Sequence, residues 1–533
     1  MSATFPWQGL FPWETVFPWQ NVAMRNRRHA TVAALIAMVL VVAGCGGGAS
    51  TASLTPTPSP TPLVTGALTW SPCPTSDRII GGNEELLCTT LSVPRDYADA
   101  TAGTIDLALA LLPAADQASR LGQLLLNFGG PGDSGVNTLG SAGRDVVPAE
   151  IGNRFDLVTW DPRGTGRSAP VDCLSDAEMD VWLNAPGIDS VPTSADWTKA
   201  KADAAKFAAS CAEKSGDLLR YIGSTATARD MESIRVAMGT PKLDYLGFSY
   251  GTFIGAIYAT LYPNSVGHLI LDGAVDPKPT DDSEWGEQGV SIQGAFNRLI
   301  AWCDANTSCP FGNGTTRKAF DALMASLDEK PLPLADGRSL NAPMAWTGVI
   351  LTLYNRSYWQ YAVEGLAAAA DGDGSQLASL ADYYNDRLAD GSYGSNIMEA
   401  FLSITCTDHP GSAEIPHYRA IYDKYKSKAP DFAAGQAASG LLCGVWKYKN
   451  ADPLPSKIGG AGAPPILVVG TTGDPATPYA WSERLSTALA GSVLLTKVGE
   501  GHTAVGGGDP CIDESVIAFL VSSTLPAAGT RCE

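Results

Sequence analysis

The sequence predicts an α/β fold, a mostly parallel sheet interrupted by an inserted helical cap, and three observations carry that prediction. Between residues 67 and 276 short apolar runs alternate with segments of helical period, as in strands joined by crossover helices. Between 277 and 455 the strand signal fades into Ala-, Leu- and aromatic-rich helical sequence. Between 456 and 533 strands return and a final helix follows.

The first strands are expected at Ile105 to Leu112, Gln123 to Phe128 and Leu157 to Trp160. A helix is expected at Thr225 to Met238, then a strand at Leu243 to Leu246. Ile254, Ile257, Tyr258 and Leu261 recur at helical spacing and predict a helix from Tyr250 to Tyr262, followed by a strand at Leu269 to Leu271. Trp359 to Ala370 and Ser375 to Leu388 are the clearest helices of the cap. Pro464 to Gly470 and Ser492 to Val498 read as the last two strands, and Glu514 to Val521 as the last helix.

Ahead of the globular sequence, Met24-Arg25-Asn26-Arg27-Arg28-His29 precedes an uncharged run of 15 residues from Ala30 to Gly44. A basic start and a short apolar stretch make a signal peptide; a spanning helix needs about 20 residues. Val42-Ala43-Gly44-Cys45 resembles the bacterial lipobox, which implies that Cys45 is acylated and anchors the mature chain to a membrane. Residues 46–66 hold Thr55-Pro56-Thr57-Pro58-Ser59-Pro60-Thr61-Pro62, an extended tether rather than a core. Phe-Pro-Trp repeats lie upstream of the basic segment, so translation is expected to begin at Met24.

Eleven cysteines less Cys45 leave ten, an even number in a chain with an export signal. The count leaves connectivity open. Pairing close neighbours gives Cys73 with Cys88, Cys173 with Cys211, Cys303 with Cys309, Cys406 with Cys443 and Cys511 with Cys532. The cysteines form no C-x-x-C, so no metal site is expected.

Charge and motifs narrow the function. With 36 Lys and Arg against 55 Asp and Glu, the 533-residue chain carries a formal charge of -19, the wrong sign for a nucleic-acid partner. No G-x-x-x-x-G-K-[ST] and no H-E-x-x-H occurs, which removes the usual support for nucleotide hydrolysis and zinc proteolysis.

Gly247-Phe248-Ser249-Tyr250-Gly251 matches G-x-S-x-G between an expected strand and an expected helix. The turn is so tight that the positions two before and two after the serine must be small. A serine hydroxyl needs a neighbouring base. Of five histidines, His29 leaves with the signal peptide, His268 sits at the amino-terminal edge of its strand, and His409 and His417 fall in the cap. His502, following the strand Ser492 to Val498, is the candidate base. Asp474, after the preceding strand, is the candidate acid that holds the imidazole, and Asp272 at the end of Leu269 to Leu271 is its competitor. Oxyanion donors are expected from the backbone of Tyr250 and, in Gly129-Gly130-Pro131-Gly132, of Gly130.

Together the glycine loop, Asp161-Pro162-Arg163-Gly164-Thr165-Gly166-Arg167-Ser168, the elbow at Ser249 and the Asp474/His502 region resemble exported tripeptidyl aminopeptidases and prolyl-iminopeptidase-like α/β-hydrolases, from about Trp70 onward. The resemblance implies an α/β-hydrolase fold, no cofactor, and a Ser249/Asp474/His502 serine peptidase releasing short peptides from a free amino end. Phe128 stands where iminopeptidases carry histidine, which argues against strict proline-directed removal. Asp161 and Arg163 are expected to brace the core as a charge pair. Asp408, beside Cys406, is the cap carboxylate expected to meet the substrate amine. A carboxylesterase using the same triad is the alternative, and an idle peptide-binding lipoprotein the second. Nothing in the sequence fixes the oligomeric state.

Overall fold

Apolar runs without alternation have no face to show water, so they go to the middle of a sheet covered on both sides. Leu124 to Leu126, Leu269 to Leu271 and Leu467 to Val469 are of this kind, and all nine residues are buried. A computed structural model describes residues 68–77, 79–80 and 82–533. The Met24 start, Cys45 and the 46–66 tether lie outside the described residues.

Ten strands form the central sheet: β1 (Ser71–Pro72), β2 (Leu87–Pro94), β3 (Thr104–Leu112), β4 (Gly122–Asn127), β5 (Phe155–Trp160), β6 (Leu243–Phe248), β7 (Val266–Asp272), β10 (Leu467–Gly473), β11 (Val493–Glu500) and β12 (Arg531–Cys532). A separate hairpin holds β8 (Leu332–Pro333) and β9 (Ser339–Leu340). The sheet order is β1-β2-β3-β5-β4-β6-β7-β10-β11-β12. Pairing is antiparallel from β1 through β3 to β5 and parallel from β5 to β12. One face packs on helices Ser224–Met238, Tyr250–Leu261 and Tyr479–Ala488 through Met231, Ile254, Ile257 and Leu485. The other packs on Gly135–Ala142 and Pro510–Ser522 through Leu139, Val516 and Phe519.

Between β7 and β10 the chain makes eight α-helices, from Gln288–Ala305 to Ala433–Val445. The segment after β5 joins them: Trp197 of helix Ser194–Lys214 meets the Tyr422 ring, and Asp180 takes Arg387 at 2.7 Å. Disulfides link Cys73–Cys88, Cys173–Cys211, Cys303–Cys309, Cys406–Cys443 and Cys511–Cys532. Two of them close loops of 38 and 37 residues, cross-links worth about 3–4 kcal/mol each against the unfolded chain.

The expected Asp161–Arg163 pair does not form. Asp161 faces the start of helix Gly135–Ala142, accepting from Ser134 Oγ at 2.6 Å, Val136 N at 3.0 Å and Arg167 N at 2.8 Å. Arg163 turns the other way and forks onto Asp230, Nε to Oδ2 at 2.7 Å and Nη2 to Oδ1 at 2.6 Å. Alternate side chains of an extended segment point to opposite sides, so residues two apart can share a side only if the loop stays extended, and here it turns. The guanidinium also donates to the carbonyls of Pro94, Arg95 and Tyr221, so both buried charges are satisfied. Removing one partner strands the other. Asp230→Leu is expected to lower unfolding stability by about 3–5 kcal/mol, measured by urea titration, whereas Lys199→Ala in an exposed pair changes it by less than about 1 kcal/mol.

Candidate active site

The turn after β6 is built for close approach. A Cβ on Gly247 would stand 2.5 Å from the Gly251 carbonyl oxygen, and one on Gly251 would stand 2.8 Å from that of Asn127. Ser249 sits between them at φ 53° and ψ -122°, a conformation that costs an L-residue on the order of 1–3 kcal/mol. Its N–H donates to Asp272 O at 2.8 Å, which pins the strained residue to β7. Among the described residues its half-buried hydroxyl has no hydrogen-bond partner.

His502 arrives on the loop after β11. Its N–H donates to Tyr354 O at 2.7 Å, and its ring packs edge-on to that of Tyr354 at 5.4 Å. Nδ1 faces both oxygens of Asp474, at 3.0 and 2.9 Å, which leaves Nε2 directed away from the acid. A Cβ on Gly273, the residue after Asp272, would stand 3.2 Å from His502 Cε1, so the ring lies over the peptide that follows Ser249's anchor. Burial by itself would lower the imidazole pKa, but the charge of Asp474, its hydrogen bond and the charge of Asp272 outweigh burial and hold it above the ordinary histidine value.

Asp474 is fully buried and accepts from Ala476 N and Thr477 N at 2.8 Å and from Thr477 Oγ1 at 2.9 Å. The insertion holds this loop from outside. Gln288, Ser291 and Arg298 share one face of helix Gln288–Ala305 and donate to the carbonyls of Ala476, Asp474 and Gly473 at 2.8, 2.6 and 3.0 Å. Neither that row nor Tyr354 and Thr477 was among the residues sequence reasoning selected. The row's only signal is polar side chains at helical spacing, which many exposed helices share, and Tyr354 and Thr477 carry none.

The glycine loop lies against the elbow. A Cβ on Gly129 would meet Phe248 O at 2.8 Å and Ser249 Cβ at 2.9 Å, and Gly129 and Gly130 take φ of 100° and 95°. No acceptor among the described residues faces the N–H of Gly130 or of Tyr250. Two open donors beside a serine can receive a developing oxyanion.

Asp408 is placed otherwise than expected. It is buried and accepts from Ser224 N at 3.0 and 3.1 Å, from Ser224 Oγ, and from Asn450 Nδ2 at 2.9 Å. Ser224 opens helix Ser224–Met238, so Asp408 is the anion at a helix start, with both oxygens taken by protein donors. Burial pushes its carboxyl up to about 7 in spite of those bonds. The neighbouring Glu284 is half-buried, and its carboxylate has no hydrogen-bond partner among the described residues. Burial and the charges of Asp281, Asp408 and Asp276 push it up to about 8.

The other histidines among the described residues stand apart from this arrangement. His268 bridges Asp244 and Ser523 at 2.9 Å each, His417 meets Asp281 at 2.7 Å, and His409 packs on Phe253, where burial lowers it to about 4. For a metal, the described residues offer Asp509, Cys511 and Cys532, whose sulfurs are already joined to each other.

A serine elbow at the carboxyl end of a parallel sheet, with an aspartate-bound histidine beside it, defines a serine hydrolase of the α/β-hydrolase superfamily. The family described as TAP-like protein matches residues 429–532. The chain is 34% identical to serine protease Hip1 of Mycobacterium tuberculosis over 94% of its own length and 96% of that protein's. It is 35% identical to carboxylesterase B of Mycobacterium tuberculosis (84% and 86%) and 30% identical to tripeptidyl aminopeptidase of Streptomyces lividans (87% and 86%). The chain therefore belongs to the tripeptidyl-aminopeptidase-like family of α/β-hydrolases.

With His502 as the candidate base, which must be neutral to act and whose pKa is raised, activity is expected to fall as pH drops through a midpoint above about 6.5. Asp474→Asn removes the largest upward influence and is expected to shift that midpoint down and to lower kcat by roughly a thousand-fold or more, both read from a pH–rate profile.

Proposed function

We propose that the protein is an exported serine aminopeptidase that releases short peptides from the free amino end of its substrates. The observation that carries this reading is His502 Nδ1 at 2.9 Å from Asp474, with the ring over the peptide that anchors Ser249. In this reading Ser249 Oγ attacks the scissile carbonyl carbon while His502 Nε2 takes its proton. The carbonyl oxygen, now negative, receives the N–H groups of Gly130 and Tyr250. His502 returns the proton to the leaving amine and an acyl-enzyme remains on Ser249. Water, deprotonated by the same nitrogen, then frees the peptide and the serine.

Peptidase action draws support from the names of serine protease Hip1 and tripeptidyl aminopeptidase. Restriction to a free amino end requires a group for the ammonium. Glu284 suits that role better than Asp408, since it lacks protein donors and an arriving cation would relieve the cost of charging it among other carboxylates. The name of the 35% identical carboxylesterase B favours acyl-ester hydrolysis as a second reading, using the same triad. Export with lipidation at Cys45 completes the proposal, supported by the leader sequence and by five disulfides, which persist in oxidising compartments.

A fluorophosphonate probe is expected to label the wild type and not Ser249→Ala, and Ser249→Ala is expected to lose activity by roughly ten-thousand-fold or more. Turnover of a free-amine peptide with none of its amine-blocked twin establishes the aminopeptidase; turnover of esters with neither peptide establishes the esterase. Glu284→Gln is expected to raise KM for the free-amine peptide by about 10- to 100-fold and to leave a neutral ester unaffected. Equal losses on both substrates would remove Glu284 from amine recognition.

A further inference from the structure

Asp272, the acid that lost the competition for His502, touches both catalytic loops. It ends β7, the strand between β6, which leads to Ser249, and β10, which leads to Asp474, and is paired with Phe248 on one side and Val469 on the other. Its carbonyl accepts the N–H of Ser249 at 2.8 Å. Its side chain, fully buried, reaches the His502 loop instead: Oδ2 accepts from Ala504 N at 2.7 Å and Val505 N at 2.8 Å. Oδ1 is buried with no hydrogen-bond partner.

The residue between His502 and that pair of donors is Thr503, at φ 68°. A β-branched residue there is a backbone outlier, and such a conformation persists only when its surroundings over-determine it. Successive N–H groups after a left-handed residue form a concavity that binds an anion, and the Asp272 carboxylate occupies it. Relaxation of Thr503 would swing the residue that precedes it, which is His502.

We propose that Asp272 is a positioning residue that fixes the base against the nucleophile: its backbone holds Ser249, and its carboxylate holds the strained turn at Thr503 and adds a second negative charge beneath the imidazole. This rests on the assignment of Ser249 and His502 as nucleophile and base. The ionisable groups that act on Asp272 are His502 and Asp474. Burial pushes its own carboxyl up to about 6, so the charge is present at neutral pH and lost in mild acid.

Asp272→Asn and Asp272→Ala separate the two contributions. The amide keeps an acceptor for Ala504 and Val505 but carries no charge; it is expected to lower kcat about 10-fold, with KM within about twofold, and to move the acid limb of kcat/KM down by about half a pH unit or more. Alanine also frees the turn and is expected to cost about 100-fold or more in kcat and in the rate of fluorophosphonate labelling. Thr503→Gly removes the strain that Asp272 holds, so in the Asp272→Ala background it is expected to recover at least about threefold of the lost rate. A pH profile and kcat of Asp272→Asn that superpose on the wild type would overturn the charge role. An Asp272→Ala/Thr503→Gly pair no faster than Asp272→Ala would overturn the strain role, and the double variant serves equally if the single one folds poorly. Ser249→Ala and His502→Ala run alongside. If either keeps activity the triad assignment fails; if both are inactive while the Asp272 variants match the wild type, only the positioning role fails.

Discussion

Everything at this site depends on holding one L-serine where its backbone is strained. Ser249 at φ 53° lifts its hydroxyl clear of the sheet, and the surrounding chain has been emptied of side chains to permit it. Gly247 and Gly251 let helix Tyr250–Leu261 start directly on the strand end, and Gly129 lets the neighbouring loop touch the serine Cβ. The conformation is kept by contacts on three sides: Asp272 O below, the glycine loop beside, and a helix behind whose Ile254, Ala256 and Ile257 are completely buried. A rigid sheet with short connections is what makes so local a strain affordable.

The insertion is part of the same device. Its helix Gln288–Ala305 supplies three donors to the acid loop, and Tyr354 takes the N–H of the base. Those contacts all reach core residues that follow the insertion in sequence, at 473, 474, 476 and 502. Displacing these helices would loosen Asp474 and His502 together while leaving Ser249 seated on β6 and β7. The placement of the acid and histidine loops thus depends on one structural element, the insertion.

Much of this was legible in the sequence because the physics is local. Runs such as Leu124 to Leu126 cannot be anything but interior, and G-x-S-x-G between a strand and a helix marks its own turn. Strand ends moved by a few residues: Leu243 to Leu246 extends to Phe248, and Pro464 to Gly470 becomes Leu467–Gly473. β2 escaped notice because Thr89, Thr90 and Ser92 dilute its apolar residues, as suits a strand near the sheet edge. The partner of Arg163 was misread because Asp230 lies 67 positions away, beyond any pattern that spacing reveals. Asp408 was misread for a related reason: sequence shows a carboxylate near a cysteine but not which N–H groups converge on it. Long-range satisfaction of buried polar groups is the part of a fold that motifs do not encode.

The electrostatics of the interior follow from the same accounting. A buried carboxylate is tolerable when donors surround it, as with Asp474 and Asp161, and expensive when they do not. Asp133, pushed up to about 7 by burial with one threonine donor, and Glu284, pushed up to about 8 with none, are of the expensive kind. Such groups are costly to charge, and folding alone gives no reason to keep them. A cation beside such a group would relieve that cost, which is the ground on which Glu284 is proposed as the partner of a substrate amine.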